Sequence, residues 1–257
     1  IMFEWNAKQY SKFEKERTLP SLDLVKAINC ENVRTALDIG CGIGNSTAVL
    51  KKYFPNARII GADSSEDMLA SAQKNHPDIE FIKLDAEKDL DAVYDRYDVV
   101  FSNACIQWIP EHRKLLRNMF NLLNDNGVLA IQTPQQSKHP VHGVITSLAD
   151  SEKWREKISC KRVFHNLTEN EYFDVLSEIS DNFRMWEVVY FHSMPSHRAI
   201  EEWYKGTGLR PYLEQLTQND KDEFLKDFLS EIKKIYPVQK NGEIIFRFPR
   251  LYFTVTK

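Results

Sequence analysis

Short apolar runs alternate with helical patterns through the first half of the chain, and this rhythm constrains the fold more than any other feature. Such alternation is typical of βαβ units, in which parallel strands are joined by crossover helices. The predicted strands are Thr35–Ile39, Arg58–Ala62, Glu80–Leu84, Tyr97–Ser102 and Val128–Gln132. The predicted helices between them are Asn45–Phe54, Ser65–Lys74 and Pro110–Leu123. The pattern predicts an α/β fold with a doubly wound, mostly parallel sheet.

The second half of the chain is more polar and leans toward helices, with two late apolar strands, Met185–Phe191 and Glu243–Thr256. These bring the predicted sheet to seven strands, with a helical cap over its ligand edge. We predict one domain over residues 1–257. It comprises an N-terminal helical segment (1–30), a βαβ core (31–135), a helical cap (136–183 and 196–240) and the last two strands (184–194 and 243–256).

The composition of the chain limits the kinds of molecule that the protein is expected to bind. The chain has 34 Lys and Arg against 37 Asp and Glu, a net charge of −3, which argues against bulk binding of nucleic acids or anionic membranes. Its four scattered cysteines include no C-x-x-C pair, so we expect reduced thiols, no metal site and no disulfide framework. The start of the chain lacks the apolar stretch of a secretory signal. We therefore expect a cytoplasmic monomer that acts on a small molecule.

A glycine-rich turn lies directly between the first strand and its helix. Gly40, Gly42 and Gly44 form a G-x-G-x-G pattern, and only glycine permits so tight a turn and so close an approach of backbone to a ligand. Asn45 stands where a dinucleotide-binding turn has its third glycine, which argues against NAD and FAD. No Gly-Lys-Ser/Thr run follows, so a phosphate-binding P-loop is excluded.

Polar or small residues follow the next three strands as well. Asp63 closes the second strand about 20 residues beyond the turn, where a carboxylate binds a ribose diol in doubly wound sheets. Asp85-Ala86 follows the third strand and Asn103-Ala104 the fourth. Each feature alone is more often architectural than functional. Their occurrence in order predicts a ligand site at the carboxyl ends of the strands.

At these residues the chain resembles the class I S-adenosylmethionine-dependent methyltransferases, whose first motif is [DE]-x-G-x-G-x-G and begins here at Asp38. Within that class it resembles the trans-aconitate methyltransferase family over nearly its whole length. The residues that mark the resemblance are Trp5–Thr18, Leu37–Thr47, Asn103-Ala104 with Gln107-Trp108, Trp203–Tyr212 and Phe248–Leu251.

The resemblance implies a Rossmann-like fold and S-adenosylmethionine as cofactor, with S-adenosylhomocysteine as product. It places the three glycines against the methionine part, Asp63 at the ribose, and Asp85 with Ala86 at the adenine. Asn103 and Ala104 line the wall near the sulfonium. The full set of expected cofactor-binding residues is Asp38, Gly40, Gly42, Gly44, Asp63, Ser64, Asp85, Ala86, Asn103 and Ala104.

The expected reaction is methyl transfer to a carboxylate of a small polyacid, most simply trans-aconitate, giving the monomethyl ester. A carboxylate is ionised at neutral pH, so no catalytic base is expected beyond proximity and orientation. Arginine suits carboxylate binding, although without the family context a surface ion pair is the preferred explanation for each arginine. The expected substrate-binding residues are Arg210, Arg250, Arg17, Lys205, Trp108, Trp203 and His142.

Two alternatives remain open from the sequence. One is a class I methyltransferase that acts on another small acid, an amine or a phenol, because the cap that sets specificity carries few readable motifs. The other is a regulatory module that binds the cofactor without catalysis. The intact glycine turn with Asp63 disfavours this second alternative.

Overall fold

The computed structural model describes residues 14–257, with side chains from Thr18 onward. The strands are β1 (Thr35–Ile39), β2 (Arg58–Asp63), β3 (Glu80–Lys83), β4 (Tyr97–Asn103), β5 (Leu123–Pro134), β6 (Phe183–Met194) and β7 (Ile244–Thr256). The helices are α1 (Glu14–Lys26), α2 (Asn45–Tyr53), α3 (Glu66–Asn75), α4 (His112–Asn121), α5 (Pro140–Asp150), α6 (Glu169–Ile179), α7 (His197–Lys205), α8 (Arg210–Leu213) and α9 (Gln218–Ile235). No helix of this part is long and apolar enough to cross a bilayer.

The strands form a seven-stranded sheet in the order β3-β2-β1-β4-β5-β7-β6. Strands β1 to β5 pair in parallel, and β7 runs antiparallel to β5. The strand order reverses between β1 and β4, and open α/β sheets bind ligands beyond the carboxyl ends of their strands at such a switch point. The predicted fold class is confirmed.

Local sequence accounts for several boundaries. Ser65 precedes α3 and its hydroxyl accepts a hydrogen bond from the amide of Met68, as expected for an N-cap residue. Helix α6 begins with a capping box between Thr168 and Glu171. Glu111 takes a left-handed conformation, with φ of 54°, so α4 begins at His112 rather than at the predicted Pro110.

Strand β5 begins earlier than the sequence predicts. The run Asn124-Asp125-Asn126-Gly127, before the predicted strand Val128–Gln132, is typical of a turn. In the structure β5 already pairs with β4 at Leu123, and the register shifts before Val128. Asn126 within this irregular stretch has a φ of 62°, and its amide donates to the carbonyl of Lys257. Pairing with other parts of the chain therefore overrides the local turn signal.

The described residues divide into two compact units. The sheet unit comprises residues 14–134, 164–188 and 250–257, and the helical unit comprises residues 135–163 and 189–249. The core of the sheet unit includes Leu37, Val100, Leu129 and Ile131, each at most 3% exposed. The core of the helical unit includes the fully buried side chains of Trp154, Phe224, Phe228, Phe246 and Ile200.

Residues 164–183 were expected in the helical cap, and the structure places them in the sheet unit instead. Helix α6 buries Tyr172, Val175 and Leu176 in the core of that unit. The hydroxyl of Tyr172 lies 2.7 Å from Nδ1 of His112, which is itself buried on α4. The apolar face of α6 thus packs on the sheet side, which the polar appearance of the segment conceals.

The amino ends of the central strands are held by one carboxylate. Asp98 accepts hydrogen bonds from the amides of Arg34 and Thr35 and from the side chain of Asn124, at 2.8, 3.0 and 2.7 Å. Burial opposes ionisation, but these hydrogen bonds prevail and lower the pKa of Asp98. Asp98 therefore ties the starts of β1, β4 and β5 together.

Candidate active site

The glycine turn follows β1 and is fastened to the end of β2. The amides of Gly40 and Cys41 both donate to the carbonyl of Ala62, at 2.8 and 3.0 Å. The amide of Gly42 donates to Oδ2 of Asp63 at 2.9 Å. These bonds place the turn at the carboxyl edge of the sheet, in front of helix α2.

The three glycines have different surroundings. All have positive φ, of 75°, 56° and 90° for Gly40, Gly42 and Gly44, a region that L side chains adopt at a cost. A Cβ on Gly40 would lie 2.1 Å from Sγ of Cys105, and one on Gly44 would lie 2.7 Å from the ring of His76. A Cβ on Gly42 would meet nothing within 4 Å. Open space therefore adjoins the turn at Gly42, as a bound ligand requires.

Asp38 is fully buried at the end of β1. Its Oδ2 accepts hydrogen bonds from the hydroxyls of Ser46 and Thr47 on α2, at 2.6 and 2.7 Å. Burial raises the pKa of Asp38 to about 6, against the lowering effect of the two hydroxyls. Asp38 thus joins the end of β1 to the first turn of α2 and fixes the shape of the glycine turn.

The acids at the ends of β2 and β3 lie at the same edge. Asp63 uses its other oxygen, Oδ1, to accept from the amide of Ser65 at 2.9 Å, and Ser64 beside it is exposed. Asp85 forms an ion pair with Lys88 at 2.8 Å, and this hydrogen bond is the main cause of its lowered pKa. Ala86 is partly buried and packs against the core of the sheet unit.

The end of β4 is strained and polar. Ala104 has a φ of 55°, an unfavourable conformation for a residue with a side chain, and such strain is often found at functional sites. Its amide donates to the carbonyl of Gln132 at 2.9 Å, and its carbonyl accepts from the side chain of Gln107 at 2.6 Å. The side-chain oxygen of Asn103 is buried without a hydrogen-bond partner in the described chain.

The sheet unit also holds two residues expected at the substrate. Trp108 packs against Phe164, with ring centroids 5.0 Å apart. Arg250 is 6% exposed and pairs in register with Pro134 at the carboxyl end of β5. Strand β7 therefore brings a buried arginine to the end of β5, the edge at which the glycine turn ends β1.

The helical unit holds the remaining substrate candidates that the structure describes. Nε of Arg210 lies 2.6 Å from Oε1 of Glu214, one helical turn away. Lys205 forms ion pairs with Glu201 and Glu202 on its own helix. Lys205 is thus already neutralised by two carboxylates, which makes it a weaker anion-binding candidate than the sequence suggests.

The aromatic candidates lie in the core of the helical unit. Trp203 is 4% exposed and packs against His192, Phe246 and Phe248. His142 contacts the ring of Tyr204, and burial, followed by the charge of Arg162, lowers its pKa to about 4. The side chain of Arg17 lies outside the described residues.

The sequence reasoning passed over Gln132 and Arg162. Gln132 is fully buried, with a side-chain amide that has no hydrogen-bond partner in the described chain. A polar residue directly after the apolar run of β5 was the available signal. Arg162 is partly buried, and burial lowers its pKa to about 10. The sequence around Arg162 gave no comparable signal, because a single charged residue in a polar segment is common.

The chain is similar to known methyltransferases in sequence and in fold. A family model described as a methyltransferase domain matches residues 31–204. Among solved structures, the YcgJ protein of Bacillus subtilis is 17% identical, with a TM-score of 0.61 over 92% of this chain and 97% of that one. A Haemonchus contortus phosphoethanolamine N-methyltransferase, solved with S-adenosylhomocysteine, is 19% identical, with a TM-score of 0.56 over 91% of this chain and 52% of that one. These two likenesses show the fold.

The similarity of sequence extends over the full length. A trans-aconitate 2-methyltransferase of Escherichia coli (strain ATCC 8739) is 37% identical over 258 aligned positions, which cover 100% of this chain and 99% of the relative. The match includes the helical unit, where specificity is expected to be set, as well as the sheet unit with its glycine turn. The chain therefore belongs to the methyltransferase family that contains the trans-aconitate 2-methyltransferases, as its motifs predict.

Proposed function

We propose that this chain transfers a methyl group from S-adenosylmethionine to a carboxylate of trans-aconitate and so forms the monomethyl ester. The observation that carries the proposal is the glycine turn, fastened to Asp63, in a chain similar over its full length to trans-aconitate 2-methyltransferases. The chain acts as a single methyltransferase domain over residues 1–257.

Several features of the sheet unit support the cofactor. The open space beside Gly42 and the buried, unpartnered oxygen of Asn103 suit a ligand at this edge. Asp63 would hold the ribose, Asp85 with Ala86 the adenine, and Ala104 the region of the sulfonium. S-adenosylmethionine supplies a methyl group that is already activated by the positive sulfur.

Methyl transfer to a carboxylate requires the protein to align the two reactants and requires no catalytic base. A carboxylate is ionised above about pH 5 and attacks the methyl carbon directly, so the residues of the site need only orient the two reactants and exclude water. The neutral His142, with a pKa of about 4, fits a site in which no histidine accepts a proton.

Substrate binding is assigned to two arginines. Arg250 and Arg210 bind substrate carboxylates, because a planar guanidinium matches a carboxylate with two parallel hydrogen bonds. The position of Arg250 supports its role, since this residue lies opposite Pro134 at the carboxyl end of β5. Trp108, Trp203 and His142 are the further substrate-binding residues that we propose, followed by Arg17 and Lys205.

The chain is proposed to work in the cytoplasm as a monomer, without a nucleic-acid or membrane partner. Its four cysteines are free thiols, which suits a reducing compartment. The near balance of 34 basic and 37 acidic residues supports a small-molecule substrate rather than a polyanion.

The decisive experiment is incubation of the pure protein with methyl-labelled S-adenosylmethionine and a panel of di- and tricarboxylic acids, an amine and a phenol. We expect label in a methyl ester of trans-aconitate, released by mild alkali. Label in the amine or the phenol would contradict the carboxylate assignment. Cofactor binding without transfer to any acceptor would indicate a regulatory module.

A further inference from the structure

Gln132, near the end of β5, has a buried side-chain amide with unsatisfied hydrogen bonds. The residue is 0% exposed, and neither Oε1 nor Nε2 has a hydrogen-bond partner within the described chain. A buried amide in this state lowers stability, because it gives up its bonds to water and gains none. An unsatisfied polar group directly after the apolar run Val128–Ile131 therefore needs an explanation beyond folding.

Asn103 supplies a second unsatisfied atom beside it. Asn103 and Gln132 are register partners on the parallel strands β4 and β5, so their side chains lie on the same face of the sheet. Oδ1 of Asn103 is also buried without a partner in the described chain. Two neighbouring strands thus present three unsatisfied atoms at one place, namely two carbonyl oxygens and one amide nitrogen.

This pair lies at the ligand edge of the sheet unit. Asn103 is the last residue of β4, and the strained Ala104 that follows it donates its amide to the carbonyl of Gln132. Strand β1, which ends in the glycine turn, is the other neighbour of β4. Asn103 therefore lies one strand away from the strand that ends in the turn at Gly40, and Gln132 lies two strands away.

The hydrogen-bonding character of the three atoms indicates which ligand they can bind. The two carbonyl oxygens require hydrogen-bond donors, and a polycarboxylate at neutral pH offers only acceptors. An ammonium group offers three donors, and a carboxylate beside it accepts from the amide nitrogen. An α-amino acid head group carries both groups on one carbon.

We propose that Gln132, together with Asn103, binds the α-amino acid head group of S-adenosylmethionine. The proposal rests on the proposed function and adds a binding residue to it. The carbonyl oxygens of the two amides accept from the ammonium group, and Nε2 of Gln132 donates to the carboxylate. A neutral amide meets both charges of the head group, whereas a glutamate would repel its carboxylate.

The test compares two ligands that differ in the head group. S-adenosylhomocysteine carries the amino acid, and 5′-methylthioadenosine has the same nucleoside thioether without it. Calorimetry on the wild type and on Gln132→Met, which has similar size without hydrogen-bonding atoms, measures both affinities. We expect S-adenosylhomocysteine to bind the variant roughly tenfold more weakly or worse, and 5′-methylthioadenosine to bind equally well.

Stability provides the second readout. Loss of an unsatisfied amide should leave the melting temperature of the ligand-free Gln132→Met protein no lower than that of the wild type. Thr254→Val is the matched control, because Thr254 lies on the same face of the sheet, opposite Ala130 and away from the ligand edge. This variant should bind both ligands as the wild type does.

Three results would overturn the proposal. Unchanged affinity for S-adenosylhomocysteine would mean that the amide has another role, and a raised KM for the acid alone would place it at the substrate. Equal weakening of both ligands would mean that the whole pocket is disturbed. Failure of the wild type to methylate trans-aconitate would reject the proposed substrate. It would not affect the comparison of the affinities for S-adenosylhomocysteine and 5′-methylthioadenosine, which tests Gln132 separately.

Discussion

The carboxylate of Asp63 binds the backbone amide of Gly42 at 2.9 Å through one oxygen and the amide of Ser65 at the same distance through the other. One side chain thus connects the glycine turn with the start of α3. A carboxylate has about four lone-pair positions, so Asp63 can accept further hydrogen bonds from a ribose without releasing these two.

Asp63→Ala should weaken binding of S-adenosylhomocysteine by at least roughly tenfold, because hydrogen bonds to a charged group are worth about 1.5–3 kcal/mol each. Calorimetry at a temperature where the variant is folded measures this. Asp67→Ala, an exposed acid in the first turn of α3, is the matched control and should bind normally. Equal affinities of all three proteins would remove Asp63 from the site.

Substitutions of Gly42 and Gly44 should separate binding from folding. The Cβ of Gly44→Ala would lie 2.7 Å from the ring of His76, at a backbone φ of 90°. The variant should therefore lose more stability than the roughly 1–2 kcal/mol that left-handed backbone strain alone costs. Gly42→Ala and Gly42→Val place atoms in open space and should abolish cofactor binding in a folded protein. Denaturant unfolding and calorimetry on each variant test the difference. Normal cofactor affinity of folded Gly42→Val would contradict the assignment.

Asp38 should make stability depend on pH. Its pKa rises from 3.8 in the unfolded chain to about 6 in the folded one, so its contribution is full below pH 3.8 and is lost as pH rises to about 6. The loss is on the order of 3 kcal/mol, of which about half falls between pH 5 and 7.5.

Denaturant unfolding of the wild type and of Asp38→Asn at both pH values measures this loss. An asparagine cannot ionise, and its oxygen still accepts from Ser46 and Thr47. The variant should therefore gain stability relative to the wild type at the higher pH. A constant difference between the two proteins would show that Asp38 has an ordinary pKa.

The methyl-transfer rate at saturating trans-aconitate should be nearly constant between about pH 6 and 9, since the attacking carboxylate is ionised throughout. Burial, followed by the charge of Arg162, lowers the pKa of His142 to about 4, so this histidine stays neutral throughout the range. Initial rates with labelled cofactor measure the profile. A steep rise toward pH 9 would indicate an amine, thiol or phenol acceptor.

Arg250→Gln should raise the apparent KM for trans-aconitate by at least roughly tenfold and leave cofactor affinity unchanged, because breaking a desolvated charge pair costs about 2–5 kcal/mol. Arg210→Gln should act in the same direction. Arg247→Gln is the control, since Arg247 is exposed on the same strand as Arg250. A fall in melting temperature in step with activity would make Arg250 structural.

The sequence predicted the features that depend on local patterns. Strand β1 has its predicted bounds, Ser65 caps α3, and the glycine turn lies between β1 and α2. Glycine spacing, an N-cap serine and a run of buried residues each depend on a few consecutive residues, so they can be recognised in one chain.

Features set by contacts between distant segments escaped prediction. Leu123 joins β5 because β4 pairs with it, and the positive φ of Ala104 follows from the turn that β4 and Gln107 impose. The unsatisfied amide of Gln132 becomes visible only once its neighbours on β4 and β7 are known.

Asp98 secures the starts of three strands with hydrogen bonds that are complete, whereas the opposite ends of β4 and β5 carry buried amides that are not. The sheet therefore has one edge that holds the fold and another that is available for ligands. Substitutions at the ligand edge can change the accepted acid while Asp98 keeps the strands aligned. A protein with such a sheet can change its methyl-accepting substrate by mutation. The fold that binds every such substrate is kept, because Asp98 lies at the other end of the strands.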